Sequence, residues 1–265
     1  MSSSTDLSRH ARHIALVSVG VEGQKRIDSG TALLIGVGGI GCAAATYLAS
    51  SGVGRLVLCD FDTVDATNLG RQTLYGPADI AAPKAQRAAE RLALANPDIS
   101  ITAVTERLAG NALDEAVSDA DVVLDGSDNF ATRFQVNDAC VATNTCLVSG
   151  AAIRLEGQLA VFGPDYASSP CYRCLYKEAD ESLENCAGNG VLAPVPGVIG
   201  TLMAVEALKY LAGFDSPRGV LRLYDATTGD FLSLIHISEP TRLDLASRMP
   251  SSACKGGGGG GGGGG

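Results

Sequence analysis

Residues 33–44, with the sequence LLIGVGGIGCAA, decide the fold of this 265-residue chain. An apolar strand runs into Gly36, Gly38 and Gly41, which have the spacing GxGxxG, and a helix of small residues follows. Glycines in this pattern allow a tight turn, a close approach of the backbone to phosphate and a helix packed against a sheet. The stretch therefore predicts a strand–turn–helix unit that binds a nucleotide, but it does not choose between NAD and another phosphate ligand.

Apolar strands and helical segments alternate along the chain around this unit. Strands are predicted at residues 32–37, 55–60, 99–104, 121–125, 146–150, 157–163 and 220–224. Helices are predicted at residues 40–50, 83–95, 112–118, 130–143 and 199–211. This alternation indicates an α/β fold with a Rossmann-like, doubly wound, mostly parallel sheet and a C-terminal extension of sheet and helix.

We predict a single domain over residues 1–232. Its parts are an N-terminal helix at 5–28, a nucleotide-binding core at 31–151 and a C-terminal layer at 152–232. After Phe231 the apolar periodicity stops, the segment SLIHISEPTRLD resembles a translated sequencing adapter, and ten glycines end the chain. Because a natural glycine linker joins two folded parts, we predict that residues 233–265 are a non-native tail. A natural disordered tail is the alternative.

The composition argues against several classes of function. A net charge of −9 disfavours a nucleic-acid partner and a basic membrane-binding face. The polar start of the chain lacks the apolar region of a signal peptide. The apolar run at 191–205 contains Pro194, Pro196 and Gly197, and we predict that it is too short and too broken to span a bilayer. Eight cysteines without a secretion signal indicate reduced thiols, so we predict a cytoplasmic protein with no membrane partner.

Polar clusters follow the predicted strands, at the edge of the sheet where ligands bind in such folds. Asp60 stands 19 residues after Gly41, the usual place for a carboxylate that holds ribose hydroxyls. The cluster DGSDN, at residues 125–129, ends another buried strand. Up to this point NAD remains a possible ligand.

Charged side chains favour a triphosphate over a dinucleotide. Arg71 follows Asn68 in the segment after the ribose carboxylate, and Lys84 opens the next helix. Asp128 is expected either to cap the helix that begins near Phe130 or to hold Mg²⁺, which prefers oxygen ligands. Two cations and Mg²⁺ suit a triphosphate attacked at its α-phosphorus better than they suit a dinucleotide pyrophosphate.

The few histidines also count against hydride transfer. His10 and His13 lie near the start, and His236 lies in the predicted tail. Hydride transfer at an alcohol usually needs a proton acceptor, often His or Tyr, whereas a C-terminal carboxylate, with a pKa near ~3.5, is already an ionised nucleophile at pH 7. An NAD(P)-dependent Rossmann oxidoreductase and a non-catalytic docking protein of the same fold stay as alternatives.

A set of motifs between residues 9 and 231 makes the prediction of function more specific. They are GVGGIGC, DFDTVDATNLGRQTLYG, DGSDNFATR, SGAAIRLEGQ, PCYRCLY and NGVLAPVPGVIGTLMAVEALK. Together they closely resemble the MoeB/ThiF/HesA family, the bacterial relatives of the ubiquitin-activating enzymes. The resemblance implies a nucleotidyltransferase that uses ATP and Mg²⁺ to adenylate the C-terminal glycine of a ubiquitin-like sulfur carrier of the MoaD or ThiS type. It also implies a homodimer, a role in molybdenum-cofactor or thiamine biosynthesis, and a cysteine desulfurase or rhodanese-like protein as sulfur donor.

The resemblance assigns roles to residues of these motifs. Those assigned to ATP and its metal are Gly36, Gly38, Gly39 and Gly41 of the turn, Asp60 for the ribose, Asn68, Arg71 and Lys84 for the triphosphate, and Asp128 for magnesium with Asn129 beside it. Arg12, in RHARHIAL, matches an arginine that reaches into the partner subunit's site in this family. The family pattern usually has Tyr where His10 stands and Gln where His13 stands.

The eight cysteines fall into three groups. Those expected to be small core side chains are Cys42, Cys59, Cys140 and Cys146. Cys171 and Cys174 have metal-ligand spacing, but one CxxC is half of a tetrahedral zinc site. The family supplies a second CxxC near the C-terminus, where this chain has Cys254 alone, inside the predicted tail. Cys186 matches a cysteine that some relatives use for a covalent sulfur or acyl link.

Overall fold

The computed structural model describes residues 8–176, 190–215 and 218–234. Within these ranges eight strands form one sheet in the order β3-β2-β1-β4-β5-β6-β7-β8. The strands are β1 (Thr31–Ile35), β2 (Arg55–Cys59), β3 (Ser100–Val104), β4 (Val122–Asp125), β5 (Cys146–Ile153), β6 (Glu156–Phe162), β7 (Leu221–Asp225) and β8 (Asp230–Leu234). Strands β1 to β5 pair in parallel, and β5 to β8 pair antiparallel. The predicted fold class is confirmed, including its C-terminal extension.

Helices cover both faces of this sheet. They are α1 (Ala11–Ile14), α2 (Gly20–Ser29), α3 (Gly39–Ser50), α4 (Lys84–Ala95), α5 (Asn111–Ser118), α6 (Phe130–Thr143), α7 (Tyr172–Leu175) and α8 (Pro194–Ala212). Leu33 and Leu34 of β1 are both fully buried, and they belong to two different core clusters. A strand buried on both faces is expected where helices lie on either side of a parallel sheet.

The first helix and the last strand differ from the sequence expectation. The single helix predicted at 5–28 is two helices, α1 and α2, with a turn over residues 15–19. Residues 5–7 lie outside the described residues. The chain pairs as β8 through Leu234, where we predicted the regular pattern to stop after Phe231. The predicted tail at 233–265 otherwise lies outside the described part, so the boundary at 232 stays a prediction.

Helix α8 corrects the interpretation of the apolar run at 191–205. We expected Pro194 and Pro196 to interrupt it, but the helix begins at Pro194. Proline is tolerated in the first turn because the N–H groups there have no partner within the helix. By length and composition alone α8 could cross a membrane, and about half of its apolar window, 56%, is buried. It packs on α3 and on β5, as a core helix does.

Helix α3 and helix α8 approach closely because of one glycine. A Cβ at Gly200 would lie 2.1 Å from the carbonyl oxygen of Ile40 in the first turn of α3. No side chain fits at that distance, so the start of α3 rests directly on the backbone of α8. This contact holds the beginning of α3 at the carboxyl edge of the parallel strands.

Candidate nucleotide-binding site

The glycine turn joins the carboxyl end of β1 to α3. A Cβ at Gly41 would lie 2.0 Å from the carbonyl oxygen of Gly36, so glycine is required there. Gly38 precedes the helix, and no described side chain caps the helix start. The first N–H groups of α3 therefore lack partners within the helix, which makes this end suited to an anion.

Asp60 lies beside the turn at the end of β2, as predicted. Its side chain is buried, with Oδ2 accepting from the Val37 N–H at 2.8 Å and Oδ1 from the Asp62 N–H at 2.9 Å. Burial raises the pKa of the Asp60 carboxyl, and the nearby Lys84 opposes that rise. Each carboxylate oxygen keeps a second lone pair, so the group can still accept from a ribose hydroxyl.

Lys84 begins α4 and is buried, which the sequence did not indicate. Its Nζ lies 3.0 Å from Oδ2 of Asp62, a carboxylate whose side chain is 55% exposed. The hydroxyl of Tyr75 lies 2.9 Å from the carbonyl oxygen of Val37 and 3.2 Å from that of Lys84. The start of α4 is thus tied to the glycine turn, and the ammonium group has one exposed anionic partner that a phosphate could replace.

The loop between β2 and α4 brings two consecutive side chains against the turn. A Cβ at Gly39 would lie 3.5 Å from Cγ of Arg71, and a Cβ at Gly38 would lie 3.7 Å from Nε2 of Gln72. Arg71 donates from Nη1 to the carbonyl oxygen of Thr67 at 3.0 Å. The structure therefore brings Arg71 to the turn, as predicted, and adds Gln72, which the sequence analysis missed although it follows Arg71 directly.

Asn68, which we predicted to bind triphosphate, lies in the same loop. Its Oδ1 lies 3.4 Å from the Asp65 N–H, and the carboxylate of Asp65 accepts in turn from the Thr67 N–H at 2.8 Å. These bonds fold the segment before Arg71 into a short turn. Asn68 is half-buried, and its contact with a nucleotide stays a prediction.

The third cluster follows β4, next to the glycine turn. A Cβ at Gly36 would lie 3.1 Å from the carbonyl group of Gly126. Asp125 is buried and accepts from the Ser127 N–H at 2.9 Å. The turns after β1 and β4 therefore touch at the point where the strand order reverses, which is where doubly wound sheets bind nucleotides.

Asp128 does not cap helix α6. The cap is Asn129, whose Oδ1 accepts from the Thr132 N–H at 2.9 Å. Asp128 is exposed, and its Oδ1 lies 3.4 Å from Nδ2 of Asn129. Of the two roles that we left open for Asp128, capping is wrong, and the carboxylate is available to a metal ion.

Two buried side-chain oxygens beside the turn lack hydrogen-bond partners among the described residues. They are Oε1 of Gln72 and Oγ of Ser127. Most buried polar groups in native proteins are paired, and leaving one unpaired costs about 1–3 kcal/mol. Both residues lie next to the glycine turn, Gln72 beside Gly38 and Ser127 beside Gly36, so the polar groups without a partner are grouped around the start of α3.

Arg12 lies far from this site within its own chain. The residues around it contact the amino ends of the strands: His10 packs on the turn at Gly52 before β2, and Arg9 donates to the carbonyl oxygen of Ala95 at 3.2 Å. The nucleotide site is at the carboxyl ends of the same strands. The structure therefore does not bring Arg12 together with the other predicted residues of the chain.

The described cysteines include the four predicted core side chains, which are confirmed as buried, and the pair predicted as half of a zinc site, whose metal role stays a prediction. Cys42, Cys59, Cys140 and Cys146 are buried, and burial raises the pKa of the Cys59 thiol to about 11 and of the Cys42 thiol to about 12. Cys171 and Cys174 hold their sulfurs 3.8 Å apart. Within the described ranges, no third His, Cys, Asp or Glu joins them in a metal-binding group. Cys186 and Cys254 lie outside the described residues.

Comparisons with known proteins found matches over most of the chain. The ThiF family model covers residues 10–243. The sulfur carrier protein ThiS adenylyltransferase of Escherichia coli K12 is 47% identical over 86% of this chain and 91% of its own length. The molybdopterin-synthase adenylyltransferase of the same organism is 44% identical over 90% of this chain and 96% of its own length.

Solved structures agree at the level of the fold. The crystal structure of E. coli MccB with ATP has a TM-score of 0.75 at 24% identity, and the match covers 88% of this chain and 72% of that one. The predicted resemblance is confirmed over most of the chain's length: this chain belongs to the ThiF family.

Proposed function

We propose that this protein adenylates the C-terminal glycine of a ubiquitin-like sulfur carrier with ATP and releases pyrophosphate. Its relatives are named as adenylyltransferases for ThiS and for molybdopterin synthase. The single observation that carries the proposal is the approach of Arg71 to Gly39 of the turn. The contact is made by Cγ of Arg71, and we propose that the guanidinium at the end of this side chain reaches the phosphates that the open start of α3 would hold.

The reaction follows from the charges around the turn. A carboxylate oxygen of the carrier's last glycine attacks the α-phosphorus, forming an O–P bond. The bond from that phosphorus to the oxygen that bridges to the β-phosphorus breaks, and pyrophosphate leaves with the electron pair. The carboxylate is already ionised near neutral pH, so no side chain has to remove a proton. Arg71 and Lys84 stabilise the negative charge that builds up on the phosphate oxygens.

Magnesium fits the exposed oxygen ligands after β4. Asp128 would hold the ion with Asn129 beside it, and when bound the ion neutralises charge on the phosphates of ATP. Asp60 fits the ribose, because its carboxylate is fixed by two backbone N–H groups beside the turn. Asn68 orders the loop that presents Arg71.

The proposed partners follow from the resemblance to the same family. We infer a homodimer in which Arg12 of each chain completes the site of the other, and a cytoplasmic enzyme that works with a cysteine desulfurase or a rhodanese-like sulfur donor. Cys171 and Cys174 are proposed as half of a zinc site, and a covalent role for Cys186 remains a proposal. An oxidoreductase or a non-catalytic docking protein gains no support from a specific contact in the described site.

Isotope exchange between pyrophosphate and ATP tests the proposal. Purified protein is mixed with ATP, Mg²⁺, labelled pyrophosphate and a ThiS-type or a MoaD-type carrier. Exchange should require Mg²⁺ and a carrier that ends in Gly-Gly, and should vanish when the last glycine of the carrier is deleted. Absence of exchange with both carrier types would contradict the proposed function, and a difference between the two would identify the carrier class.

A further inference from the structure

The N-terminal helix α1 is joined to the rest of the chain through a buried side chain of α2, Gln24. This side chain is 0% exposed. Its Nε2 donates to Oδ1 of Asp28 at 2.7 Å and to the carbonyl oxygen of Ser51 at 3.0 Å. Its Oε1 lies 3.1 Å from Nδ1 of His13. Gln24 thus connects α1 to α2 and to the residue directly after α3.

These bonds determine which nitrogen of the His13 ring carries a proton. The amide nitrogen of Gln24 faces two acceptors, a carboxylate and a carbonyl group, so the amide oxygen is the atom turned toward His13. Because an amide oxygen can only accept, His13 donates from Nδ1. A side chain without an N–H donor at position 13 cannot make this bond. The contact therefore depends on the chemistry of the residue and not only on its size.

The same contact determines which side of α1 faces solvent. Residues three apart on a helix lie on one face, whereas adjacent residues are turned by about 100° from each other. His10 is buried and His13 is half-buried, but Arg12 is exposed. His10 packs on the turn at Gly52, where its Nε2 lies 2.5 Å from the position that a Cβ would occupy. With the histidine face held by Gln24 and by this turn, the side chain of Arg12 leaves α1 from the opposite face.

Helix α3 connects this N-terminal contact to the nucleotide site. It begins at Gly39 in the glycine turn and ends at Ser50, directly before the carbonyl group of Ser51 that accepts from Gln24. Its 12 residues span about 18 Å. Helix α1 is therefore held at a fixed distance and direction from the nucleotide site of its own chain. In a symmetric dimer this also fixes where each Arg12 lies relative to the site of the other chain.

We propose that His13 and Gln24 are positioning residues that aim Arg12 at the nucleotide site of the partner subunit. The proposal rests on the proposed function, and in particular on the role of Arg12 in the second site. It adds to that role two side chains at the amino ends of the strands, far from the nucleotide site of their own chain. Arg12 supplies the charge, and the hydrogen bond between His13 and Gln24 holds the helix that carries it.

The variants His13→Phe and His13→Gln separate this hydrogen bond from the bulk of the ring. Phenylalanine lacks the N–H donor, so ATP–pyrophosphate exchange should fall by about 10-fold, because a misplacement of about 1 Å can cost up to about 100-fold in rate. Glutamine can donate to Gln24 from its amide nitrogen, so His13→Gln should recover most of that loss. No loss in His13→Phe, or an equal loss in both variants, would overturn the proposal.

Lys25→Gln is the matched control on α2. Lys25 follows Gln24 directly, but it is exposed and pairs with Glu22 at 2.8 Å on the surface. Its replacement should leave the rate of exchange unchanged. A loss as large as that of His13→Phe would show that any change on α2 has this effect, and the specific role of the hydrogen bond would be rejected.

Mixed dimers show which of the two sites depends on His13. In the first, a His13→Phe chain is paired with a Lys84→Ala chain, so the intact pocket receives Arg12 from a chain that keeps His13. In the second, a wild-type chain is paired with a chain that carries both substitutions, so the intact pocket receives Arg12 from a chain without His13. The two dimers contain the same substitutions, and a purely structural role affects them alike. Exchange should be about 10-fold lower in the second dimer.

The rate of the wild-type protein keeps this inference and the proposed function apart. If wild-type protein catalyses exchange and the two mixed dimers have equal rates, or the first is the slower, this inference is overturned and the proposed function stands. If wild-type protein catalyses no exchange with either carrier type, the proposed function fails, and this inference fails with it.

Discussion

The side chain of Arg71 lies against the glycine turn, and its guanidinium is the charge that we propose for the nucleotide phosphates. Its Cγ is 3.5 Å from the Cβ position of Gly39, and no acidic side chain among the described residues forms an ion pair with it. Arg71→Ala should therefore lower the rate of ATP–pyrophosphate exchange by about 100-fold or more, as is usual when one charge-stabilising donor is lost. Arg87→Ala is the control, because that arginine pairs with Glu90 on α4. A rate within a few-fold of wild type for Arg71→Ala would reject the role.

Variants of Asp128 and Asn129 test metal binding and helix capping separately, the two roles that the sequence had left open for Asp128. Asp128→Asn removes a charge without touching the cap, so stability should be unchanged while exchange falls and needs more Mg²⁺. Asn129→Ala removes the side chain that accepts from Thr132, so it should lower the free energy of unfolding by about 1 kcal/mol. Mg²⁺ titrations and denaturant unfolding of both variants measure this difference. Unchanged Mg²⁺ dependence in Asp128→Asn would exclude the metal role.

At the scale of single residues, the sequence predicted the placement of the candidate site residues that depend on backbone geometry. The glycines and Asp60 follow from the spacing along one strand–turn–helix unit, and the structure has them beside each other. The partner of Lys84 and the burial of Gln72 could not be predicted. Both depend on how the loop between β2 and α4 folds over the turn, and spacing along the chain does not specify that fold.

At the scale of elements, alternation of apolar strands and helices predicted every parallel strand to within a few residues. The exceptions have local causes. Helix α8 begins five residues earlier than the expected start at 199, because its prolines lie in the first turn. Strand β8 was missed because it has an exposed, non-alternating pattern at the edge of the sheet. Helices α1 and α2 were merged because residues 15–19 between them, ALVSV, are mostly apolar and contain no proline or glycine that would predict a break.

The N-terminal helices should make stability depend on pH. Burial lowers the pKa of His10 below its usual value, although Asp28 and Asp98 nearby oppose this and His13 and Arg9 reinforce it. The unfolded chain therefore takes up a proton at a higher pH than the folded chain does. The contribution of His10 to the free energy of unfolding is therefore fully present above about pH 6.5, the pKa of unfolded histidine. That contribution is lost as the pH falls below this value.

His10→Phe tests this dependence, because it keeps a ring against the turn at Gly52 and removes the titrating group. The melting temperature of wild-type protein should fall between pH 7.5 and pH 5.5 by more than that of His10→Phe. Comparing the two falls cancels the other groups that titrate in this range. Equal falls for both proteins would show that the folded and unfolded states bind the His10 proton equally.

At the scale of the whole molecule, the sheet separates Arg12 from the site it is proposed to serve. Helix α1 and its neighbours lie at the amino ends of β2 and β3, where Arg9 approaches Asp98. The nucleotide site lies at the carboxyl ends, and a strand of five residues spans about 16 Å. An arginine side chain does not bridge that distance around the sheet, so the role proposed for Arg12 requires the site of a second copy of the chain.

Mixed dimers test this arrangement directly. Arg12→Ala and Lys84→Ala should each inactivate a dimer made of one kind of chain. When the two variants are co-expressed with different tags and purified through both, one site of each mixed dimer has an intact pocket and an intact Arg12 from the other chain. Such dimers should recover about half of wild-type exchange activity, since one of two symmetric sites is complete. Pairing Arg12→Ala with a chain that carries both substitutions should recover none. Absence of recovery in the first pair would place Arg12 in its own chain's function or in none.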